Sequence, residues 1–598
     1  MEKQTQKIEP FLMVILAKRF EAITKQMTNT LLRSARSIVV NTARDFSCSI
    51  ADAQGRLICL SEGLPIHTAS SGLVARALTG LFNDIQPGDC FLNNSPYYGN
   101  THHADHTMCV PVFYRGEHIF TTMARAHQAD CGNSQPTTYM PLSTDLYEEG
   151  ALDFPCVRVQ RNYRDIEDVV RMAKVRIRVP EQWYGDYLAE IGACRIGERE
   201  IAKLCDKYGI DIIRTFCEEW QDYGKRRMIE EIRKLPGGTW QNKTKLDPFP
   251  FVSAEGITIK LKMAIDPEEG FITLDFTESD DVVPGGLNMS EATTLAAGIT
   301  GVMNNLDHTL PQNEGAFSRI RFTLRENCVV GIAKHPVCAS MATTTVADRA
   351  INVVQSCFAK LGTNIGMADG SLGMPAASSV ISGIDRRNGG APYVNQLIIG
   401  GLGGPAVYGH DGWLTYGIPV TGGVLHGNSI EVTEQRFPIL FEKHELIPDS
   451  GGAGQWRGAP GVDCRIRQRF DPGVWIYPSD GHHNPAQGVA GGHPGRPSDV
   501  GKYPPDRKER IDLPKVSQEI LQPDEVLLSE SCGGGGYGNP LDRDPEKVRW
   551  DVREGFVSPE QAREVYGVAL DTEPEQFLVN YPATEELRAK LRGAGGNK

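Results

Sequence analysis

The chain has 598 residues, 40% hydrophobic and 23% charged, with a net charge of −13, the profile of a globular protein large enough for several cores at about 150 residues per domain. The negative balance and the lack of any long Lys/Arg run exclude a nucleic-acid groove, and Arg507 to Arg510 is too short and too mixed to make one. The one apolar run near the start, Phe11 to Ala17, is followed by Lys18-Arg19-Phe20-Glu21, so it fails as a signal peptide or membrane span and a cytoplasmic protein is expected.

Apolar residues Phe11, Ile15, Phe20, Ile23, Met27 and Leu31 recur at helical spacing across residues 8–40 and predict a first helix. Arg44 to Ile50 reads as a strand, turned at Asp52 to Gly55 and returned by Arg56 to Leu60, which puts Asp45 at a strand end. Leu64-Pro65-Ile66-His67 then leads into a helix over Ser70 to Phe82, and His67 in that lead-in is a candidate ligand or substrate contact.

Asn94 to Asn133 carries the densest chemistry. Two strands, about His106 to Tyr114 and His118 to Ala126, are joined at Arg115-Gly116-Glu117 and predict a hairpin. Pairing symmetric about Gly116 sets Asp105 opposite His127, with β-carbons about 4.5–5.5 Å apart. His102 precedes Asp105 in a loop where Gly99 lets the backbone fold back. His102, Asp105 and His127 then offer two imidazoles and one carboxylate with room for water, the ligand set of a catalytic zinc or of manganese or iron. Open hairpin ends also gather polar residues simply because they are wet, and His103, His106 and Asp130 on the same rim are alternative ligands.

Residues 147–235 read as helical, with amphipathic stretches at Ile166 to Ile177, Trp183 to Asp206 and Ile210 to Lys234 that suit a scaffold and a partner surface. Pro236-Gly237-Gly238 breaks them. Strands at Ile257 to Ala264 and Gly270 to Thr277 and a helix at Ala292 to Leu306 follow. Glycines then crowd the chain at Gly389-Gly390, Gly400 to Gly404, Gly451-Gly452-Ala453-Gly454, Gly491-Gly492 and Gly533 to Gly536. They read as tight turns between short strands, and none fits the phosphate-binding G-x-x-x-x-G-K-[ST] pattern. Fourteen cysteines form no C-x-x-C pair, so they are expected reduced and buried. Ser558-Pro559-Glu560-Gln561 starts a last helix, with a loose tail from Gly593. The expected fold is mixed α/β (α+β) and multi-lobed: 1–238 with the hairpin and helices, 239–400 mixed α/β, 401–540 glycine-rich β, and 541–598 helical with a tail.

Arg44-Asp45-Phe46-Ser47-Cys48, Gly99 to Asp105, Arg125 to Asp130, Tyr147-Glu148-Glu149-Gly150, Pro448 to Gly454, Arg457-Gly458 and Gly533 to Pro540 occur in the order seen in the hydantoinase B/oxoprolinase family, and the resemblance runs from about residue 10 to about 570. It implies a metal-bearing subunit of ATP-dependent enzymes that open cyclic amides (N-methylhydantoinase, 5-oxoprolinase, lactamases) or carboxylate ketones. It also implies one divalent ion on His102, Asp105 and His127 with Asp45 as a possible fourth ligand; His67, read from its loop, and Arg125 are expected to bind the substrate. A hydantoinase A-like partner would bind ATP and phosphorylate the substrate or bicarbonate, giving a hetero-oligomer. Where the family's amide hydrolases carry Asn-Asp-Pro, Thr-Ser-Gln-Arg and Asp-Arg-x-Arg, this chain has Asn94-Ser95-Pro96, Val346-Ala347-Asp348-Arg349 and Asp480-Gly481-His482-His483. A site with fewer arginines suits a neutral ketone. The expected reaction is therefore carboxylation of an acetone- or acetophenone-type ketone, with cyclic amide hydrolysis as the alternative and a non-catalytic carrier subunit as the contrasting class.

Overall fold

The apolar runs between residues 46 and 165 pair into a seven-stranded sheet in the computed structural model, which describes residues 7–61, 63–362, 364–399, 403–414, 416–571 and 577–595. Its strands are β1 (Phe46–Asp52), β2 (Leu57–Leu60), β3 (Cys90–Asn93), β4 (Asp105–Tyr114), β5 (Glu117–His127), β6 (Val157–Arg161) and β7 (Arg164–Asp165), in the order β2-β1-β5-β4-β3-β6-β7. Around it lie α1 (Pro10–Ser34), α2 (Ile38–Asn41), α3 (Pro65–Thr68), α4 (Ser71–Leu81), α5 (Leu146–Glu149), α6 (Glu167–Arg176), α7 (Pro180–Tyr208) and α8 (Ile210–Ile232). One face of the sheet packs Ile50, Val110, Val112 and Phe120 against Leu16, Phe20, Met27, Trp183 and Ile191 of α1 and α7. Phe20 stacks on Phe216 at 5.4 Å and tilts on Phe120 at 5.5 Å, each pair contributing about 0.5–1.5 kcal/mol beyond the area it buries. The opposite face holds Ala51, Phe91, Cys109 and Met123 under Val74, Ala75 and Leu78 of α4. Cover on both faces explains why these strands are apolar runs without alternation.

The second sheet is β8 (Gly238–Lys245), β9 (Thr258–Asp266), β10 (Phe271–Asp275) and β11 (Ile320–Thr323), in the order β11-β10-β9-β8. Here alternation returns: Ile259, Leu261, Met263 and Ile265 face a core, while Lys260 and Lys262 face out. That core is shared with α9 (Glu291–Met303), α10 (Glu314–Phe317) and α11 (Thr345–Cys357). Further on, β12 (Val380–Asp385), β13 (Ala391–Gln396), β14 (Ile439–Leu446), β15 (Val462–Gln468), β16 (Gly473–Pro478), β17 (Asp499–Tyr503), β18 (Ile511–Asp512), β19 (Val516–Leu521) and β20 (Val526–Glu530) build two more sheets, β13-β12-β16-β19 and β14-β15-β20-β17-β18. The first of these joins residues from either side of position 400.

The glycines do something other than the expected turning. Gly389 and Gly390 do turn the chain, with φ of 68° and 77°. Gly491 turns it too, with φ of 93°, while the other glycines of 403–404, 451–458, 488–495 and 533–536 let four irregular segments touch backbone to backbone. A β-carbon at Gly534 would lie 2.0 Å from the Gly404 carbonyl oxygen, one at Gly458 2.0 Å from that of Gly534, and one at Gly533 1.9 Å from that of Ser450. Hydrogen bonds tie the segments together: Gly452 N donates to Gly534 O (2.8 Å), Gly534 N to Ala459 O (3.0 Å), Ala459 N to Gly404 O (3.0 Å) and Gly536 N to His493 O (3.0 Å). Gly400 and Gly401 lie outside the described residues.

Ser558 caps a helix at Pro559–Glu564 as its sequence predicts, its side chain accepting from Gln561 N. The last helix, Tyr581–Gly595, runs through Gly593, where a loose tail is expected from the sequence, and residues 596–598 lie outside the described ones. All fourteen cysteines are free, and all but Cys59 are buried. Among the described residues no helix is long and apolar enough to cross a membrane.

Candidate metal centre

The hairpin register decides which side chains meet. Arg115 and Gly116 have φ of 52° and 86°, the two left-handed residues of a type I′ turn, so Tyr114 pairs with Glu117 and Phe113 with His118. Continued unbroken, that register would set Ala126 opposite Asp105. Ile119 is an extra residue between the Phe113–His118 and Val112–Phe120 pairs, and this bulge moves the ladder by one. From there to the open end the pairing holds, and Asp105 faces His127. The expected pair thus forms through a two-residue turn and a bulge, where symmetry about Gly116 implies a three-residue turn.

The loop before β4 is fixed by backbone contacts. Gly99 has φ of 83°, and a β-carbon there would meet the Leu73 backbone at 2.9 Å. Asn94 Nδ2 donates to the carbonyls of His103 (2.8 Å) and Leu152 (2.7 Å), and Asn100 Nδ2 to that of Asp105 (2.7 Å). His102 Nε2 consequently lies 3.1 Å from Asp105 Oδ1, and His127 Nδ1 lies 3.2 Å from the same oxygen. One ligand atom from each of the three buried residues falls within 4.8 Å of the others. His102 Nδ1 is 2.7 Å from the Ser340 carbonyl, which only accepts, so Nδ1 carries a proton and Nε2 is the nitrogen that can be freed for a ligand. Thr101 Oγ1 donates to Asp105 Oδ2 at 2.5 Å. Burial opposes ionisation of Asp105, but His102, His67 and His127 outweigh it and hold the carboxyl well below its usual range.

Asp45 and His67 stand at the edge of this cluster. The Asp45 carbonyl accepts the His127 N–H at 3.0 Å. Its Oδ1 is buried without a hydrogen-bond partner, 3.7 Å from His67 Nε2, and burial raises its pKa. His67 Nε2 is 3.1 Å from Asp105 Oδ2. Arg125 donates from Nη1 to the His67 carbonyl (2.6 Å) and from Nε to Thr107 Oγ1 (2.8 Å), so it clamps α3 against the sheet, with Nη2 left without a hydrogen-bond partner. Burial brings its pKa down to about 10.

The other rim residues are engaged elsewhere: His103 Nδ1 with Glu149 Oε2 at 3.2 Å, Asp130 with the Arg178 N–H at 2.6 Å, and His106 Nδ1 with the Trp183 indole at 3.3 Å. Several neighbours of the triad carry no signal in the sequence. Thr138 Oγ1 lies 3.3 Å from His127 Nε2, and Thr343 Oγ1 lies 3.3 Å from His102 Nε2, which brings the positive end of α11 beside the triad. Ser340 reaches His102 across 238 residues of sequence. No spacing could announce it.

The fold and its His-Asp-His cluster define a large mixed α/β chain with a buried set of side chains able to hold one cation. The signature of the hydantoinase B/oxoprolinase family matches residues 9–540, and the chain belongs to that family. It is 29% identical to the beta subunit of the caprolactamase of Pseudomonas jessenii over 94% of this chain and 97% of that one. The crystal structure of the ATP-dependent caprolactamase from that organism superposes with a TM-score of 0.88 at 28% identity, over 98% of this chain and 100% of that chain. The acetophenone carboxylase delta subunit of Aromatoleum aromaticum is 24% identical over 94% of this chain and 87% of that one.

Proposed function

We propose that this chain is the metal-bearing subunit of an ATP-dependent enzyme that opens a cyclic amide, working with a hydantoinase A-like partner that uses the ATP. The observation that carries the reading is the His102, Asp105, His127 cluster, set in a chain that aligns over nearly its whole length with a lactamase subunit. Two imidazoles, once deprotonated at the ligating nitrogen, and an ionised carboxylate fit zinc, manganese or iron, and Asp45 Oδ1, buried without a hydrogen-bond partner, is a ready fourth donor. Such an ion would supply a Lewis acid for ring opening. The protein's own part is to fix the ligands through Ser340 and Thr101 and to hold the imidazole of His67 against Asp105 and Asp45.

Of the departures that point to a ketone, Ser95 and Asp348 each keep a buried side-chain oxygen without a hydrogen-bond partner, while the His482-His483 run is tied into the fold. Arg349 and Asp480, which keep the residues of the amide hydrolases' motifs, pair with each other: Arg349 Nε lies 2.8 Å from Asp480 Oδ2, both buried, and its Nη2 donates to the Asn484 carbonyl at 2.7 Å. His482 and His483 present backbone N–H groups to Asp247. Ser95 closes the loop turn, its carbonyl accepting from Tyr98 and Asn100. The ketone reading then rests on the likeness to the acetophenone carboxylase delta chain. The complex of this chain with its ATP-binding partner is expected to open ε-caprolactam, hydantoin or 5-oxoproline only when ATP is present. Incorporation of labelled bicarbonate into a methyl ketone, with every ring left closed, would establish carboxylation instead.

A further inference from the structure

The second sheet carries a charge pattern that its packing does not explain. Strands β8 and β9 turn Lys243, Lys245, Lys260 and Lys262 outward, all exposed, and Lys360 stands beside them after α11, its Nζ donating to the Gln241 carbonyl at 2.8 Å. The register sets Lys243 directly opposite Lys260, with Lys262 and Lys245 the next same-face positions to either side. The four therefore form a row about 14 Å long, at about 3.4 Å per residue. In a chain of net charge −13, none of the five lysines is ion-paired among the described residues. Two hollows meet at this row. One, about 790 Å³, lies between residues 242–245 of β8 and the 484–490 segment; the other, about 430 Å³, is lined by Lys260 and Lys262. Both are lined by Lys243 and Lys360, so those two ammonium groups stand where the hollows join. The acids that line them, Asp369, Asp275 and Glu278, pair with none of the five lysines.

Like charges directly opposite on an antiparallel pair destabilise it. Lysines on an edge strand do block edge-to-edge pairing, and that accounts for Lys243 and Lys245, since β8 ends its sheet. It does not account for Lys260 and Lys262 on the interior strand β9, or for Lys360 on a separate element. A repulsion spread over three elements is relieved when a multivalent anion sits among the ammonium groups and accepts their hydrogen bonds. We propose that this row and its two hollows form a binding site for a polyphosphate, inorganic or carried on a nucleotide. A single carboxylate or phosphate would answer one or two lysines, whereas a chain of phosphates spaces its charges along the row. Concavity on this scale is that of small-molecule sites, and a protein surface would call for a flatter face. α11 begins beside His102 and presents Arg349, Val353 and Ser356 to the larger hollow, so its length separates this site from the metal centre. The lysines come singly in the sequence, and only the pairing of two strands gathers them.

The test is isothermal titration calorimetry of the purified full chain with inorganic triphosphate and with ATP, both free of magnesium. One triphosphate per chain is expected to bind, with an affinity that falls as salt rises. Binding should persist in His127→Ala, which separates it from capture of the anion by an ion at the triad. Lys243→Gln combined with Lys260→Gln is expected to weaken binding by about tenfold or more, while Lys508→Gln, which changes an exposed lysine paired with Asp506, leaves it unchanged. Without ligand the double variant should melt no lower than wild type, because it removes an opposed like-charge pair, so lost binding is not lost folding. ATP bound no more tightly than triphosphate assigns the site to the phosphates alone, and ATP bound more tightly gives the nucleoside a place in the larger hollow. A wild type that binds neither, or a double variant that binds both as wild type does, overturns the proposal. So does a heteromer with the proposed ATP-binding partner that is lost in the double variant while wild type binds no polyphosphate, which assigns the row to an acidic protein surface.

Discussion

Asp105 is the residue on which the site turns, because both imidazoles approach the same carboxylate oxygen, at 3.1 and 3.2 Å. Removing it should leave two histidines with only Asp45, at the edge of the cluster, to offset the charge of a cation. Asp105→Ala and His127→Ala are expected to drop metal occupancy from about one per chain to near zero by elemental analysis, with circular dichroism unchanged. Asp130→Ala should keep its metal, since Asp130 serves Arg178. Much of this residue-level picture is legible in the sequence, because Asp105 and His127 sit on one hairpin and local pairing rules reach that far. Asp45 is legible as a strand end. Ser340, Thr343 and Tyr139, whose ring lies 6.4 Å from that of His127, are not, and Gln396 meets Tyr139 across 257 residues. Contacts of that kind are made by the packing of whole lobes, which leaves no periodic trace in the chain.

At the scale of the element, the hairpin works because a tight turn and a bulge together set its register. Nothing in the residue pattern hints at the bulge, since Ile119 is one more apolar residue in an apolar strand. Its deletion is expected to restore the unbroken ladder, bring Ala126 opposite Asp105 and swing the β5 side chains to the other face of the sheet. Deletion of Ile119 should therefore abolish metal binding as fully as loss of a ligand while leaving the helical content intact, as elemental analysis and circular dichroism would report. An Ile119→Val substitution, which keeps the residue count, should leave occupancy unchanged. Helices are easier to read than this register: α1, α7 and α8 follow apolar spacings that repeat over many turns. The glycine clusters mislead because a glycine that turns and a glycine that lets backbones touch look the same in a sequence.

For the whole molecule, the neighbourhood of the triad is assembled from the first sheet, from residues 340–343 just before α11 and, through Tyr139, from the end of β13. No single lobe contains it. The outer side of α6 and α7 leaves Met172, Val175 and Leu188 exposed, an apolar patch of the sort that marks a contact surface. Co-expression with the proposed ATP-binding partner is expected to give a heteromer on size exclusion, and Val175→Lys with Met172→Lys should shift it toward free subunits without loss of metal; an unchanged elution profile would place the contact elsewhere. The bundle of glycine segments between 403 and 536 has a different consequence. Its interior is built mostly of peptide groups, with Ala406, Ala453 and Ala459 among the few buried methyls there, so spectroscopy that observes methyl protons should see little of it. Exchange of amide hydrogens with deuterated solvent should instead find Gly452, Gly534 and Gly536 among the slowest in the chain, because each N–H is held in a place where no side chain has to move aside.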